Sequence, residues 1–140
     1  MIGLDTNILA RYYIQDQADK EAEKQHFLAK ELIEAGEPLM VCTTVFLELE
    51  WIMRGYYQFS RSEVVTVFQH LCSLPHVQLE NAAIIQQAIN NLQSGFDFAD
   101  ALHHACYKNC DSVASFDNKK FAKRSKNMGL SPIVFVPTKK

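Results

Sequence analysis

The chain has little of what would mark a membrane, secreted or disulfide-stapled protein. Its longest apolar stretches fall far short of the roughly 20 residues that a membrane-spanning helix needs. The opening, Met1-Ile2-Gly3-Leu4-Asp5, carries no basic leader, apolar run or cleavage signature, so a cytoplasmic location is expected. Only four cysteines occur (Cys42, Cys72, Cys106 and Cys110), and none forms a CxxC pair. In a cytosolic chain of this size they are expected to be reduced and mostly buried. Cys106 and Cys110 stand one helical turn apart, near His103 and His104, but a zinc cage would need a second ligand pair that the sequence lacks. Repeats, low-complexity tracts and linkers are missing. So are a glycine-rich phosphate loop and any convincing Ser-His-Asp or Cys-His spacing. What remains is 140 residues, 48% hydrophobic and 21% charged, read as one domain over residues 1–140 that buries a core without staples.

Net charge is −2, but it is unevenly spread. Beyond Asp117 no acidic residue occurs, whereas Lys119, Lys120, Lys123, Arg124, Lys126, Lys139 and Lys140 are all basic. Such a tail can bind phosphates with salt-dependent affinity. On charge alone, a solvated helix face with a frayed end explains it equally well.

Short apolar runs alternate with helical patterns along the chain. Ile2-Gly3-Leu4 suits a buried strand ending at Asp5. Residues 18–36 read as a helix with Phe27, Leu28, Leu32 and Ala35 on one side, stopped by Gly36. Residues 38–42 read as a second strand. Thr43 and Thr44 are candidate N-caps for a helix whose stripe is Val45, Leu49, Ile52, Met53 and Tyr56. Ser60 and Glu63 have capping-box spacing ahead of Val64, Val65, Val67, Phe68 and Leu71, and Pro75 ends that helix. A third strand is expected over 76–80, and a helix capped by Asn81 and closed by Ser94-Gly95. Another helix follows over about 98–109, a fourth strand over 112–115, a basic helix over 118–127 and a last strand over 133–136. The implied class is α/β: a three-layer α/β/α arrangement around a central, mainly parallel twisted sheet of about five strands.

In such sheets ligands sit beyond the carboxyl ends of the strands, so the acids delivered there matter most. Asp5 ends the first strand, and Asp117 follows the fourth in Ser115-Phe116-Asp117. Glu48 lies about one turn into the helix after the second strand, on the same face as Thr44. The helix from Phe98 joins the fourth strand through a short turn, so it starts at that same edge with Asp97 and Asp100 in its first turn. Phe98, Leu102, Ala105 and Cys106 form its buried stripe, and Asp100 points about 200° away from Phe98. Each acid has a plainer explanation as a cap or turn residue, and Asp97 is first of all an N-cap. Glu50 faces away from Glu48 and is read as a surface or salt-bridged residue, and His70, His76, His103 and His104 as structural or exposed. Taken jointly, Asp5, Glu48, Asp100 and Asp117 would repel one another. A hard divalent cation with oxygen ligands, Mg²⁺ or Mn²⁺, would compensate them, activate a water and stabilise a leaving oxygen at a phosphodiester.

The residues around these acids resemble a known family. Leu4-Asp5-Thr6-Asn7-Ile8-Leu9 is similar to the opening motif of PIN domains, especially the VapC-type toxins of bacterial toxin–antitoxin pairs. Thr43 to Trp51 resembles the second motif, with Glu48 at its acidic position. Asp97-Phe98-Ala99-Asp100-Ala101-Leu102 resembles the third, with Asp100 there, and Ser115-Phe116-Asp117 the fourth, with serine in place of the commoner threonine. The resemblance implies a PIN-like fold and a metal-dependent endoribonuclease that forms a homodimer. It further implies a small antitoxin that blocks the acidic cleft. Asn7 and Ser115 would orient carboxylates or water, with Asp97 and Thr44 in supporting positions.

The segment from Val45 to Phe68 also holds Phe46, Trp51, Tyr56, Tyr57, Phe59 and Phe68, enough to bury one face inside the domain and another against a partner. Two other classes compete with a nuclease. A non-cleaving PIN-like module that binds RNA or protein would usually have lost acids, and here all four are present. An aspartate phosphatase or phosphoacceptor would want a second acid in the first loop, where this chain has Thr6 and Asn7.

Overall fold

The computed structural model describes residues 1–139, so Lys140 of the basic tail lies outside it. Contacts group the chain into two compact units, Met1–Ala82 and a second that begins at Ala83. Among the described residues no helix is long and apolar enough to cross a membrane.

In the first unit β1 (Ile2–Gly3) leads through Asp5 into α1 (Thr6–Tyr13). This eight-residue helix has no counterpart in the sequence reading. It buries only Thr6 and Leu9, too few to leave an apolar stripe. α2 (Lys20–Glu34) begins where Asp19 accepts hydrogen bonds from the Glu21 and Ala22 amides, and Gly36 follows at φ 84°. Its buried face is Ala22, Ala29 and Ile33, while Phe27 is 60% exposed and Leu28 is also exposed. The expected stripe was out of phase, because the two largest apolar side chains drew the reading away from the small residues that pack.

β2 (Leu39–Val41) pairs in parallel with β1 (Ile2 opposite Leu39) and with β3 (Val77–Leu79; Leu39 opposite Val77). Leu39 and Val41 are buried, but β1 is not the buried strand expected: Ile2 and Gly3 are exposed and Leu4 is buried. α3 (Thr43–Trp51) starts from Cys42 without a side-chain cap. Neither Thr43 nor Thr44 caps it. The Thr43 amide instead donates to Glu80 Oε1 at 2.9 Å, a bond from beyond β3 that holds the Glu80 carboxyl below its usual range. A π-helical turn over Ile52–Tyr56 extends α3, and α4 (Arg61–Ser73) carries the expected Ser60–Glu63 capping box. Val45, Phe46, Leu49, Met53, Val64, Phe68 and Leu71 are buried, and Phe46 meets Phe68 edge-on with ring centroids 5.1 Å apart. Trp51 and Tyr56, 71% and 74% exposed, stay outside.

In the second unit α5 (Ala82–Gln93) follows Asn81, which lies in the left-handed region at φ 55° and not in the extended conformation of a cap. Gly95 closes the helix at φ 115°, a conformation that suits a residue without Cβ. α6 (Phe98–Cys106) buries Phe98, Ala101, Leu102, His104 and Ala105; Cys106 is exposed and not part of the stripe. β4 (Ser112–Ala114) pairs in parallel with β5 (Ile133–Phe135). Between them a π-helical turn (Asn118–Ala122) and α7 (Lys123–Asn127) replace the single basic helix expected. Phe96 packs on Phe121 with centroids 5.7 Å apart, and the His104 ring meets both.

The fold class is the expected α/β, and the strand pairings among the described residues are parallel. Among the described residues the strands divide as three and two, not as one sheet of about five. The cysteines are free as expected but not buried: Cys42, Cys106 and Cys110 are exposed and Cys72 is half-buried.

Candidate active site

The first unit holds Asp5, Asn7, Thr44 and Glu48. Asp5 is the N-cap of α1, its Oδ1 accepting the Thr6 amide at 2.8 Å. That leaves Oδ2 uncommitted on an exposed side chain. The Thr6 hydroxyl donates to Glu48 Oε1 at 3.0 Å. One buried threonine therefore ties both carboxylates, Asp5 through its amide and Glu48 through its hydroxyl. The sequence reading passed over Thr6, because a hydroxyl bond spanning 42 residues has no local signal. Thr44 is exposed in the first turn of α3. Asn7 lines a cleft with Ile8, Arg11 and Gln25, along α1 and α2.

The second unit holds Asp97, Asp100, Ser115 and Asp117. Asp97 stands at the N-cap position of α6 but caps nothing; Arg124 Nη1 holds its Oδ1 at 3.2 Å and the Gly95 carbonyl at 3.2 Å. Arg124, read from sequence only as part of a basic tail, is thus a built-in cation among the acids. The Ser115 hydroxyl accepts the Asp117 amide at 3.0 Å, and Asp117 Oδ1 accepts the Lys120 amide at 2.9 Å, fixing the turn after β4. Like Asp5, Asp117 is a cap that keeps one oxygen uncommitted. Asp100 is half-buried in the first turn of α6. Burial raises its pKa, and the charges of Asp97 and then Asp117 raise it further, against smaller opposing effects of His103 and Arg124. Asp97 and Asp117 therefore both lie within electrostatic reach of Asp100.

Lys119, Lys120, Lys123 and Lys126, which follow Asp117 in the chain, are exposed, and Phe116 next to it is 83% exposed. The segment is solvated, and it carries cations and an open aromatic ring close in sequence to an acid.

A family model for the PIN domain matches residues 2–127, running through both units and all four acidic positions. The chain belongs to the PIN domain family. Comparison with curated proteins and with solved structures returns no match. PIN domains are generally nuclease domains that act on nucleic acid, typically with divalent metal ions. By chemical type, the candidate donors of this PIN domain suit such an ion. Its candidate ligands are carboxylate oxygens, the choice of hard cations, and the pKa of Asp100 is raised first by burial and then by the negative charges of Asp97 and Asp117. Among the described residues, no group of three or more His, Cys, Asp or Glu side chains is drawn together closely enough to hold an ion.

Proposed function

We propose that this PIN domain is a metal-dependent endoribonuclease, the toxin of a VapC-type toxin–antitoxin pair, acting with Mg²⁺ or Mn²⁺. Asp5, Glu48, Asp100 and Asp117 serve one reaction on an RNA phosphodiester, and residues 1–140 work as one domain. The family match across both units supports that unity. The observation that carries the reading is the half-buried carboxylate of Asp100, on which burial and then the charges of Asp97 and Asp117 act to raise the pKa, in a chain whose family match runs through all four acidic positions.

When bound, the cation supplies an activated water and stabilises the departing oxygen. The chain's own residues prepare the carboxylates. Thr6 holds Glu48 in place, Ser115 fixes the turn that presents Asp117, and Arg124 draws Asp97 to itself, leaving Asp100 as the half-buried acid. Lys119, Lys120 and Lys123 supply phosphate contacts that position RNA without reading its sequence. The exposed Trp51 and Tyr56 are the surface we assign to a partner, a second copy or a small cognate antitoxin, in the cytoplasm.

The test is cleavage of a mixed RNA pool, mapped by sequencing the ends. The wild-type chain is expected to cut with Mg²⁺ or Mn²⁺ and to stop with chelator, and Asp5→Asn and Asp100→Asn to fold but not cut. RNA retained on the protein yet never cut would favour a binding module, and cutting by either variant would reject the mechanism.

A further inference from the structure

The second unit holds a cavity that the proposed reaction does not use. It measures about 380 Å³ and opens between α5, the C-terminal end of α6 and the turn at Gly129–Ser131. Cavities in this size range take small ligands when apolar walls carry a few fixed polar groups. Ile84 and Leu130 supply apolar wall, and Gln87, Asn91, His104 and Lys108 supply polar groups.

Those polar groups are held in place. His104 is 3% exposed, its ring set against Phe96 and Phe121. Its Nε2 lies 2.7 Å from the Pro132 carbonyl, and a carbonyl only accepts, so Nε2 carries a proton. Asn91 is also buried. Its Oδ1 accepts from Gln87 Nε2 at 3.2 Å, which leaves the Asn91 amide group as donor beside Gln87 Oε1 as acceptor. A neighbouring donor and acceptor on a half-apolar wall match the edge and face of a nucleobase. Lys108, exposed at the rim, is a cation placed for a phosphate.

We propose that this cavity receives one nucleotide, its base against the Gln87–Asn91 amides and its phosphate at Lys108. That the nucleotide belongs to the RNA being cut rests on the ribonuclease reading above. α6 carries Asp100 in its first turn and His104 four residues on along the same side, roughly 6 Å at 1.5 Å per residue. A strand held at Asp100 therefore has the cavity within reach of a neighbouring base. A base contact of this kind gives sequence preference beside the cut, which phosphate contacts cannot give.

The experiment titrates the full-length, isotope-labelled protein in EDTA with each of the four ribonucleoside 5′-monophosphates and with inorganic phosphate, read by NMR. One monophosphate is expected to give saturable shifts at the Gln87 and Asn91 side-chain amides and at the Gly129 and Leu130 backbone amides, and phosphate alone none. Ile84→Trp, which fills the cavity, is expected to weaken binding by roughly tenfold or more, and Gln87→Ala at the exposed rim by about fivefold. No saturable shift with any monophosphate, the same shifts from phosphate alone, or wild-type binding by both variants overturns the proposal. In RNA end mapping, Gln87→Ala is expected to flatten the base preference beside the cut. An unchanged preference with monophosphate binding lost overturns the RNA assignment and leaves a site for a free nucleotide. Monophosphate binding by a chain that cuts no RNA overturns the ribonuclease reading and leaves the nucleotide cavity standing.

Discussion

Asp100→Asn removes a charge with almost no change in side-chain volume, so its effects on stability and on metal response can be read separately. Burial, then Asp97, then Asp117 raise the folded-state pKa of Asp100 above its ordinary value of 3.8. The folded chain thus holds this proton to higher pH than the unfolded chain does. The resulting stability is fully present below 3.8 and is lost as pH rises through the raised folded value. At neutral pH the ionised carboxylate therefore costs stability, and the variant escapes that cost. In EDTA at neutral pH, Asp100→Asn is expected to melt at or above the wild-type temperature, with the gap closing as the buffer is made acid. A cation behaves the opposite way. A metal that binds only the folded chain adds about 2.7 kcal/mol at a concentration 100 times its Kd. For a chain of this length each kcal/mol moves Tm by roughly 4 °C. Wild type should thus gain on the order of 10 °C in saturating Mg²⁺ or Mn²⁺, and Asp100→Asn little. RNA cleavage should fall by on the order of 10²-fold or more, the rate equivalent of several kcal/mol of charge stabilisation. Thermal melts across pH, with and without chelator, read both effects. A variant that melts well below wild type in EDTA, or that keeps the full metal-induced rise, would refute the reasoning.

Thr6→Val keeps the shape and the amide bond to Asp5 but removes the hydroxyl bond to Glu48. The expected cost is about 1 kcal/mol, with the Mg²⁺ midpoint of cleavage displaced upward; an unmoved midpoint would show that Glu48 needs no such restraint. Phe46→Ala empties a fully buried site against Phe68 and should cost about 3–5 kcal/mol in urea unfolding. A cost below about 1 kcal/mol would mean that the first unit packs differently. Ser60→Ala breaks the capping box of α4 and should cost about 1 kcal/mol in a thermal melt, leaving RNA cleavage as it was.

Features set by neighbours in sequence were legible in it. The Ser60–Glu63 box, the stop at Pro75 and the turn from Ser115 to Asp117 each depend on residues within a few positions. Asp5 and Asp117 had two explanations, cap and site ligand, and the caps proved real without using up either carboxylate. Features set at a distance were not legible. The Glu80 carboxylate that receives the Thr43 amide, the Thr6 hydroxyl on Glu48, and Arg124 on Asp97 join residues 27 to 42 positions apart. Size also misled the reading of α2, where Phe27 and Leu28 stay outside while Ala22 and Ala29 pack. The division of the strands into three and two had no signal either, since each strand is only two or three residues long and pairing partners are chosen by the whole chain.

The first turn of α1 binds two acids to a single local event. Should that turn fray, the Thr6 amide leaves Asp5 and the Thr6 hydroxyl leaves Glu48 in the same motion. Helix ends open at far lower free energy than whole domains. Mild denaturant should therefore silence the protein while its amide-exchange protection elsewhere is still intact, and a ligand that clamps residues 5–8 would inhibit fraying and extend activity into that range.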